Sequence, residues 1–122
     1  MTLELINGEK RKVIVNWREF GEMIDSLAGK IKESSLEFDG LYGIPRGGLP
    51  VAVALSHRLG LTMLAHPTTK TLVVNDISDY RKTLASMKNK KIATLFSTKW
   101  TAVQPDWFLR LKESEDDWIV FP

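Results

Sequence analysis

The first clear periodicity starts at Trp17. Phe20, Ile24, Leu27 and Ile31 recur at spacings of 4, 3 and 4 with polar residues between them, which puts all four on one helical face. This spacing predicts a helix over Trp17–Lys32, with Asn16 as N-cap and Glu19 completing a capping box. Leu41–Ile44 is a short apolar run that stops at Pro45 and Gly47-Gly48, the pattern of a strand entering a tight loop. Leu49–Leu59 reads as a second helix, rich in Ala, Val and Leu, with Pro50 in its first turn and Gly60 just past its end.

Farther along, Leu61–Ala65, Thr71–Val74, Lys91–Phe96, Gln104–Leu109 and Trp118–Phe121 are candidate strands, and Arg81–Lys88 is a candidate short helix. The order α-β-α-β-β-α-β-β-β predicts an α/β fold with a mainly parallel sheet flanked by helices. Ligands of such sheets sit at the carboxyl ends of the strands, so the loops of interest are Pro45–Gly48, Ile77–Thr83 and Ser97–Thr101. One spacing does not fit. Only His66–Lys70 separates the run Leu61–Ala65 from Thr71–Val74. A parallel crossover takes a dozen or more residues, and five extended residues reach only about 17 Å. Either one of the two runs is very short, or they form a hairpin, or Leu61–Lys70 makes one irregular excursion.

Composition narrows the class. With 122 residues, 43% hydrophobic and 26% charged, the expectation is one ordered domain over residues 1–122. The chain has no cysteine, which removes disulfides, thiolate nucleophiles and iron–sulfur sites; its two His do not make a zinc set. Lys plus Arg number 17 against 15 Asp plus Glu, a net +2 that is no nucleic-acid footprint. No apolar run approaches the ~18 residues of a membrane span. Met1–Lys12 carries Glu4, Glu9, Lys10, Arg11 and Lys12 rather than the apolar stretch of a signal peptide. A cytoplasmic protein without membrane or nucleic-acid partners is expected.

Two loops carry candidate chemistry. Gly43-Ile44-Pro45-Arg46-Gly47-Gly48 follows a strand and opens a helix. Glycines let backbone N–H groups approach an anion, and Arg46 adds a cation whose fork matches phosphate oxygens. Equally, the same residues make an ordinary strand-to-helix turn with a surface Arg. In Thr71–Leu84 an apolar strand runs into Asn75-Asp76-Ile77-Ser78-Asp79 and then a segment with Arg81, Lys82 and Thr83. The turn's N–H groups form a potential phosphate nest, and Asp76 and Asp79 suit a sugar, a base or a metal ion. The plain alternative is an N-cap at Asp79 on a solvated acidic turn.

Taken together and in this order, the two loops resemble those of the type I phosphoribosyltransferases. In that family a loop like Arg46-Gly47-Gly48 binds pyrophosphate, and a strand-plus-loop signature binds the ribose 5-phosphate of phosphoribosyl pyrophosphate. Val73–Thr83 follows that signature without a gap, with Asp76, Asp79 and Thr83 matching. Asn75 stands where a first acidic residue is usual, Tyr80 replaces Thr or Ser, and Arg81 replaces Gly. The C-terminal third, with Lys99 after a strand and Asp116-Asp117-Trp118-Ile119-Val120-Phe121-Pro122 at the end, resembles the xanthine-guanine and hypoxanthine branch.

The resemblance implies a three-layer fold and a purine phosphoribosyltransferase of nucleotide salvage, expected as a homodimer. Phosphoribosyl pyrophosphate and hypoxanthine, guanine or xanthine would be its substrates. By the same resemblance Arg46, Gly47 and Gly48 hold pyrophosphate, and Asp76 meets the ribose and a Mg²⁺ ion. Asp79, Tyr80, Arg81, Lys82 and Thr83 hold the 5-phosphate, with Asp79 as general base. Lys99 contacts the purine exocyclic oxygen, Trp118 stacks on the ring and the Ile119 backbone reads the base edge. Trp100 and Trp107 read as core or interface aromatics instead. The family carries a long catalytic lid where this chain has only His66–Lys70. That departure keeps two alternatives open: a nucleotide- or phosphoribosyl-binding module without turnover, and an assembly protein whose aromatic C-terminus is buried between subunits.

Overall fold

The computed structural model describes residues 2–6, 10–78, 87, 89–101 and 103–122. The predicted helices form as α1 (Trp17–Glu33) and α2 (Gly48–Leu59). At the start of α1, Asn16 Oδ1 accepts from the Glu19 N–H at 2.8 Å and Glu19 Oε1 accepts from the Asn16 N–H at 3.1 Å, so two otherwise orphaned donors are satisfied reciprocally. Phe20, Met23, Ile24, Leu27, Ala28 and Ile31 are the buried face. Helix α2 ends at Gly60, whose φ of 66° is a conformation that costs glycine nothing.

The main sheet has four parallel strands: β3 (Leu41–Gly43), β4 (Leu72–Ser78), β5 (Lys91–Ser97) and β6 (Arg110–Leu111), in that spatial order. Leu41, Leu72, Val74, Ala93 and Leu95 cluster with the apolar faces of α1 and α2. Val73, Ile92 and Ile44 form a second cluster, ringed by Tyr42, Met87 and Val103. Burial on both faces is why these strands read as continuous apolar runs without alternation.

A second sheet joins the two ends of the chain. The strands β1 (Thr2–Ile6) and β2 (Lys10–Ile14) pair antiparallel, and β2 pairs in parallel with β7 (Asp117–Val120). The sequence pattern placed no strand before Trp17, although Asn7-Gly8 between two strand-like runs is a hairpin signal. The run expected over Trp118–Phe121 forms as β7, but in this small sheet rather than the main one.

Two expectations need correction. Leu61–Ala65 is no strand; it contributes one parallel bridge, Met63 to Leu41, on the outer side of β3. The short-run alternative is therefore the one adopted. Residues 65–71 pass beneath the amino end of β3 and enter β4 level with Leu41, a path short enough for seven residues. Gln104–Leu109 likewise makes only a bridge, Trp107 to Ala93, and strand pairing starts later, at Arg110. The backbone there is held by Asp106 N–H and Trp107 N–H donating to the same Ile92 carbonyl, which does not allow a regular ladder. The helix expected over Arg81–Lys88 falls on residues outside those described, apart from Met87.

Candidate functional site

The carboxyl end of β3 leads straight into the first loop. Ile44 N–H donates to the Val74 carbonyl at 2.9 Å, Gly48 N–H to the Ile44 carbonyl at 2.8 Å and Leu49 N–H to the Arg46 carbonyl at 3.1 Å, which winds the chain into α2. The Pro45–Arg46 peptide bond is cis. The first turn of α2 has neither a side-chain cap nor an acidic residue of its own, so the positive end of the helix is left to groups from other segments. Arg46 is exposed beside it.

This loop rests directly on the end of β4. A methyl group at Gly47 would collide with the Asp76 carboxylate, and one at Gly48 would come within 2.5 Å of the Val74 carbonyl and 3.2 Å of the Asn75 Cα. Two segments about thirty residues apart in sequence, singled out separately for their chemistry, are thus in contact. Asp76 Oδ1 accepts from the Ile77 N–H at 2.9 Å, and Asn75 Nδ2 donates to the Ile77 carbonyl at 3.2 Å. Both side chains are half-buried and bonded to the backbone at the end of β4 rather than free on the surface.

The next strand end carries Lys99. Ser78, the last residue of β4, is paired with Ser97, the last of β5. Ser78 Oγ lies 2.6 Å from Thr101 Oγ1 and donates to the Val103 carbonyl at 2.8 Å, tying the two strand ends together. Lys99 projects into solvent from the Thr98–Thr101 turn.

Trp118 and Ile119 belong to the small sheet. Side chains alternate along β7: Asp117 is buried, Trp118 is 65% exposed and Ile119 is half-buried against the core. Asp117 and Ile119 line a cleft of about 730 Å³ together with Val13, Phe96, Leu109 and Arg110; Trp118 is not among the residues lining it. This cleft, bounded by β6 and β7, was not legible in the sequence, because its walls come from segments that pair with different sheets. Asp79, Tyr80, Arg81, Lys82 and Thr83 lie outside the described residues. Among the described residues no group of three or more His, Asp or Glu could hold a metal ion. No helix among them is long and apolar enough to cross a membrane.

No family model matches the chain, and no curated protein matches it. Solved structures do. A purine phosphoribosyltransferase from Pyrococcus horikoshii is 33% identical, with a TM-score of 0.74, over 91% of this chain and 92% of that one. The chain belongs to the type I phosphoribosyltransferase family. The xanthine-guanine-hypoxanthine phosphoribosyltransferase of Helicobacter pylori shares the fold at 20% identity and a TM-score of 0.74, covering 90% of this chain and 92% of that one. A Neisseria gonorrhoeae protein with bound ppGpp shares it at 19% identity and a TM-score of 0.74, over 95% and 90% of the two chains. The α/β architecture expected of a type I phosphoribosyltransferase, parallel strands flanked by helices, is the one present.

The segment that carries the lid in the resembled family takes a different course in this chain. Leu64 N–H donates to the Leu41 carbonyl at 2.8 Å, Asp39 N–H to the Lys70 carbonyl at 3.1 Å and Leu72 N–H to the Gly40 carbonyl at 3.1 Å. Thr68 Oγ1 and Thr71 Oγ1 both donate to the Asp39 carboxylate, and the Thr68 hydroxyl is the main reason that carboxyl lies below its ordinary value of 3.8. These bonds fasten residues 64–72 at the amino ends of the strands, the opposite end from Asp76.

Proposed function

We propose that this protein transfers the 5-phosphoribosyl group of phosphoribosyl pyrophosphate to a 6-oxopurine, one of hypoxanthine, guanine or xanthine, and releases pyrophosphate. The observation that carries the reading is the contact of Gly47 with the Asp76 carboxylate, which sets an uncapped helix start and Arg46 beside the end of β4. The identity to a purine phosphoribosyltransferase supports the same class.

In this reading Arg46 and the Gly47 and Gly48 amides bind the pyrophosphate, where a fixed guanidinium and backbone donors stabilise the charge that grows on the leaving group. Asp76 orients the ribose hydroxyls. Asp79, Tyr80, Arg81, Lys82 and Thr83 enclose the 5-phosphate, and Asp79 accepts the proton from the attacking purine nitrogen. Lys99 donates to the exocyclic oxygen, Trp118 offers a stacking face and the Ile119 backbone reads the base edge. A Mg²⁺ ion bound through substrate oxygens would neutralise charge on the pyrophosphate. The donor set fits such an ion, since Mg²⁺ keeps several waters and asks for only one or two carboxylates beside the phosphates, and Asp76 is the one at hand. Purified protein with Mg²⁺, phosphoribosyl pyrophosphate and each of the three bases should form the matching nucleotide. Failure with all three sinks the reading.

A second reading has its own support: nucleotide binding without turnover. Residues 64–72 are pinned away from the site. They cannot exclude water from it as a lid would. Calorimetry that detects tight binding of a purine nucleotide by a protein with no measurable turnover would favour this alternative.

A further inference from the structure

Three polar atoms within four residues are enclosed and find no hydrogen-bond partner among the described residues: Ser97 Oγ, Thr98 Oγ1 and Trp100 Nε1. Ser97 is 0% exposed and Thr98 1%. Native proteins rarely leave an enclosed hydroxyl or indole N–H unpaired, because its bonds to water are lost and nothing replaces them. Nearby buried hydroxyls obey that rule: Thr94 Oγ1 donates to the Phe96 carbonyl at 2.7 Å and Ser78 Oγ to the Val103 carbonyl at 2.8 Å. Among the described residues the unpaired atoms are therefore confined to one segment. That segment is the carboxyl end of β5, beside the end of β4, on both sides of Lys99. It is also the end of the sheet where ligands of this architecture bind.

The turn that carries them is loosely closed. Its backbone bond, Thr101 N–H to the Thr98 carbonyl, is 3.4 Å long, beyond the usual range for such bonds. Re-seating of this turn around a ligand would give up that one long bond, while the Ser78 Oγ–Thr101 Oγ1 contact at 2.6 Å holds its far end.

We propose that Ser97, Thr98 and Trp100 are specificity-determining residues for the base, and that their free groups pair with the polar edge of a 6-oxopurine when the turn re-seats around it. The chemistry matches. An indole N–H only donates, and the 6-oxo group only accepts. The hydroxyls either donate or accept, so one can accept a hydrogen bond from the adjacent ring N–H. An adenine edge puts an amino donor where the oxo group stands, and the indole has nothing to give it. This inference rests on the purine reading above.

The test compares GMP with ribose 5-phosphate, which has the phosphate and sugar but no base. Dissociation constants are measured by calorimetry for the wild type, Ser97→Ala, Thr98→Val and Thr98→Ser. Thr98→Val keeps the shape of the side chain and removes its hydroxyl. It should weaken GMP about tenfold, the value of one hydrogen bond, and leave ribose 5-phosphate unchanged. Ser97→Ala should act in the same direction, and Thr98→Ser should restore wild-type affinity. Neither Ser97→Ala nor Thr98→Val should lower the melting temperature of the free protein, since each removes a group with no partner. If the ratio of the two dissociation constants stays at the wild-type value in both variants, the inference is overturned. If the wild type binds ribose 5-phosphate but not GMP, the base assignment fails while the phosphate reading stands. If it binds neither, the reading of the previous subsection has failed first.

Discussion

Gly47 can have no side chain because the Asp76 carboxylate already fills that space. The Gly47→Ala variant must lift the loop or turn Asp76 away from the Ile77 N–H. Overpacking of this kind costs about 1–3 kcal/mol, which chemical denaturation will read. The same variant should lose affinity for pyrophosphate, since the amides move with the loop. Arg46 contrasts with it. It is exposed and holds up no packing, so Arg46→Ala should leave stability unchanged. Its loss should instead raise the Kd for inorganic pyrophosphate by about ten- to a hundredfold, the effect of a charge-assisted hydrogen bond of about 1.5–3 kcal/mol. Unchanged pyrophosphate affinity in calorimetry would remove Arg46 from the site.

At the scale of elements, the segment between Leu64 and Leu72 decides how the sheet is entered. Seven residues reach about 24 Å, while β4 alone is about 20 Å long at its usual rise, so a trip to its far end and back would take about 40 Å. The connection can cross under β3 but cannot travel to the site and back. Asp39 fastens it there through Thr68 and Thr71. Because those bonds hold the folded carboxyl below its ordinary value of 3.8, their contribution is complete above that pH. It declines as pH falls below it and is gone once the folded carboxyl itself is protonated. Hydrogen exchange at Lys70 and Leu72 should therefore speed up below about pH 4 in the wild type. In Asp39→Ala it should be fast at every pH, and the difference between the two proteins should vanish at the acid end. Exchange that stays pH-independent in the wild type, after correction for intrinsic rates, would show that Asp39 does not fasten the segment.

The whole molecule is held together where its ends meet. β2 and β7 pair across a separation of 106 residues, as Arg11 with Asp117, a ladder that Val15 N–H extends by donating to the Val120 carbonyl at 2.9 Å. The small sheet is fixed to the main one by Val15, buried in the core beneath β4 and β5, and by the Phe96–Phe121 ring contact at 5.8 Å. Phe121→Ala removes that contact and part of the apolar surface beneath β7, at a cost of about 2 kcal/mol. Since β7 carries Trp118 and Ile119, the variant should weaken GMP more than ribose 5-phosphate, and equal losses would count against a base-binding role for that strand. The two long helices, the capping box at Asn16, the strands over Leu41–Ile44 and Lys91–Phe96 to within a residue at their ends, and the strand-to-helix loop Pro45–Gly48 were legible from the sequence alone, because each depends on neighbours within one or two turns of chain. The sequence pattern mistook Leu61–Ala65 for a strand and passed over the β1–β2 hairpin. It also could not place Trp118 on the solvent side of β7 or bring Gly47 against Asp76. Those outcomes depend on which strand lies beside which, and that is settled by packing and hydrogen bonds between distant segments, which periodicity along the chain does not encode.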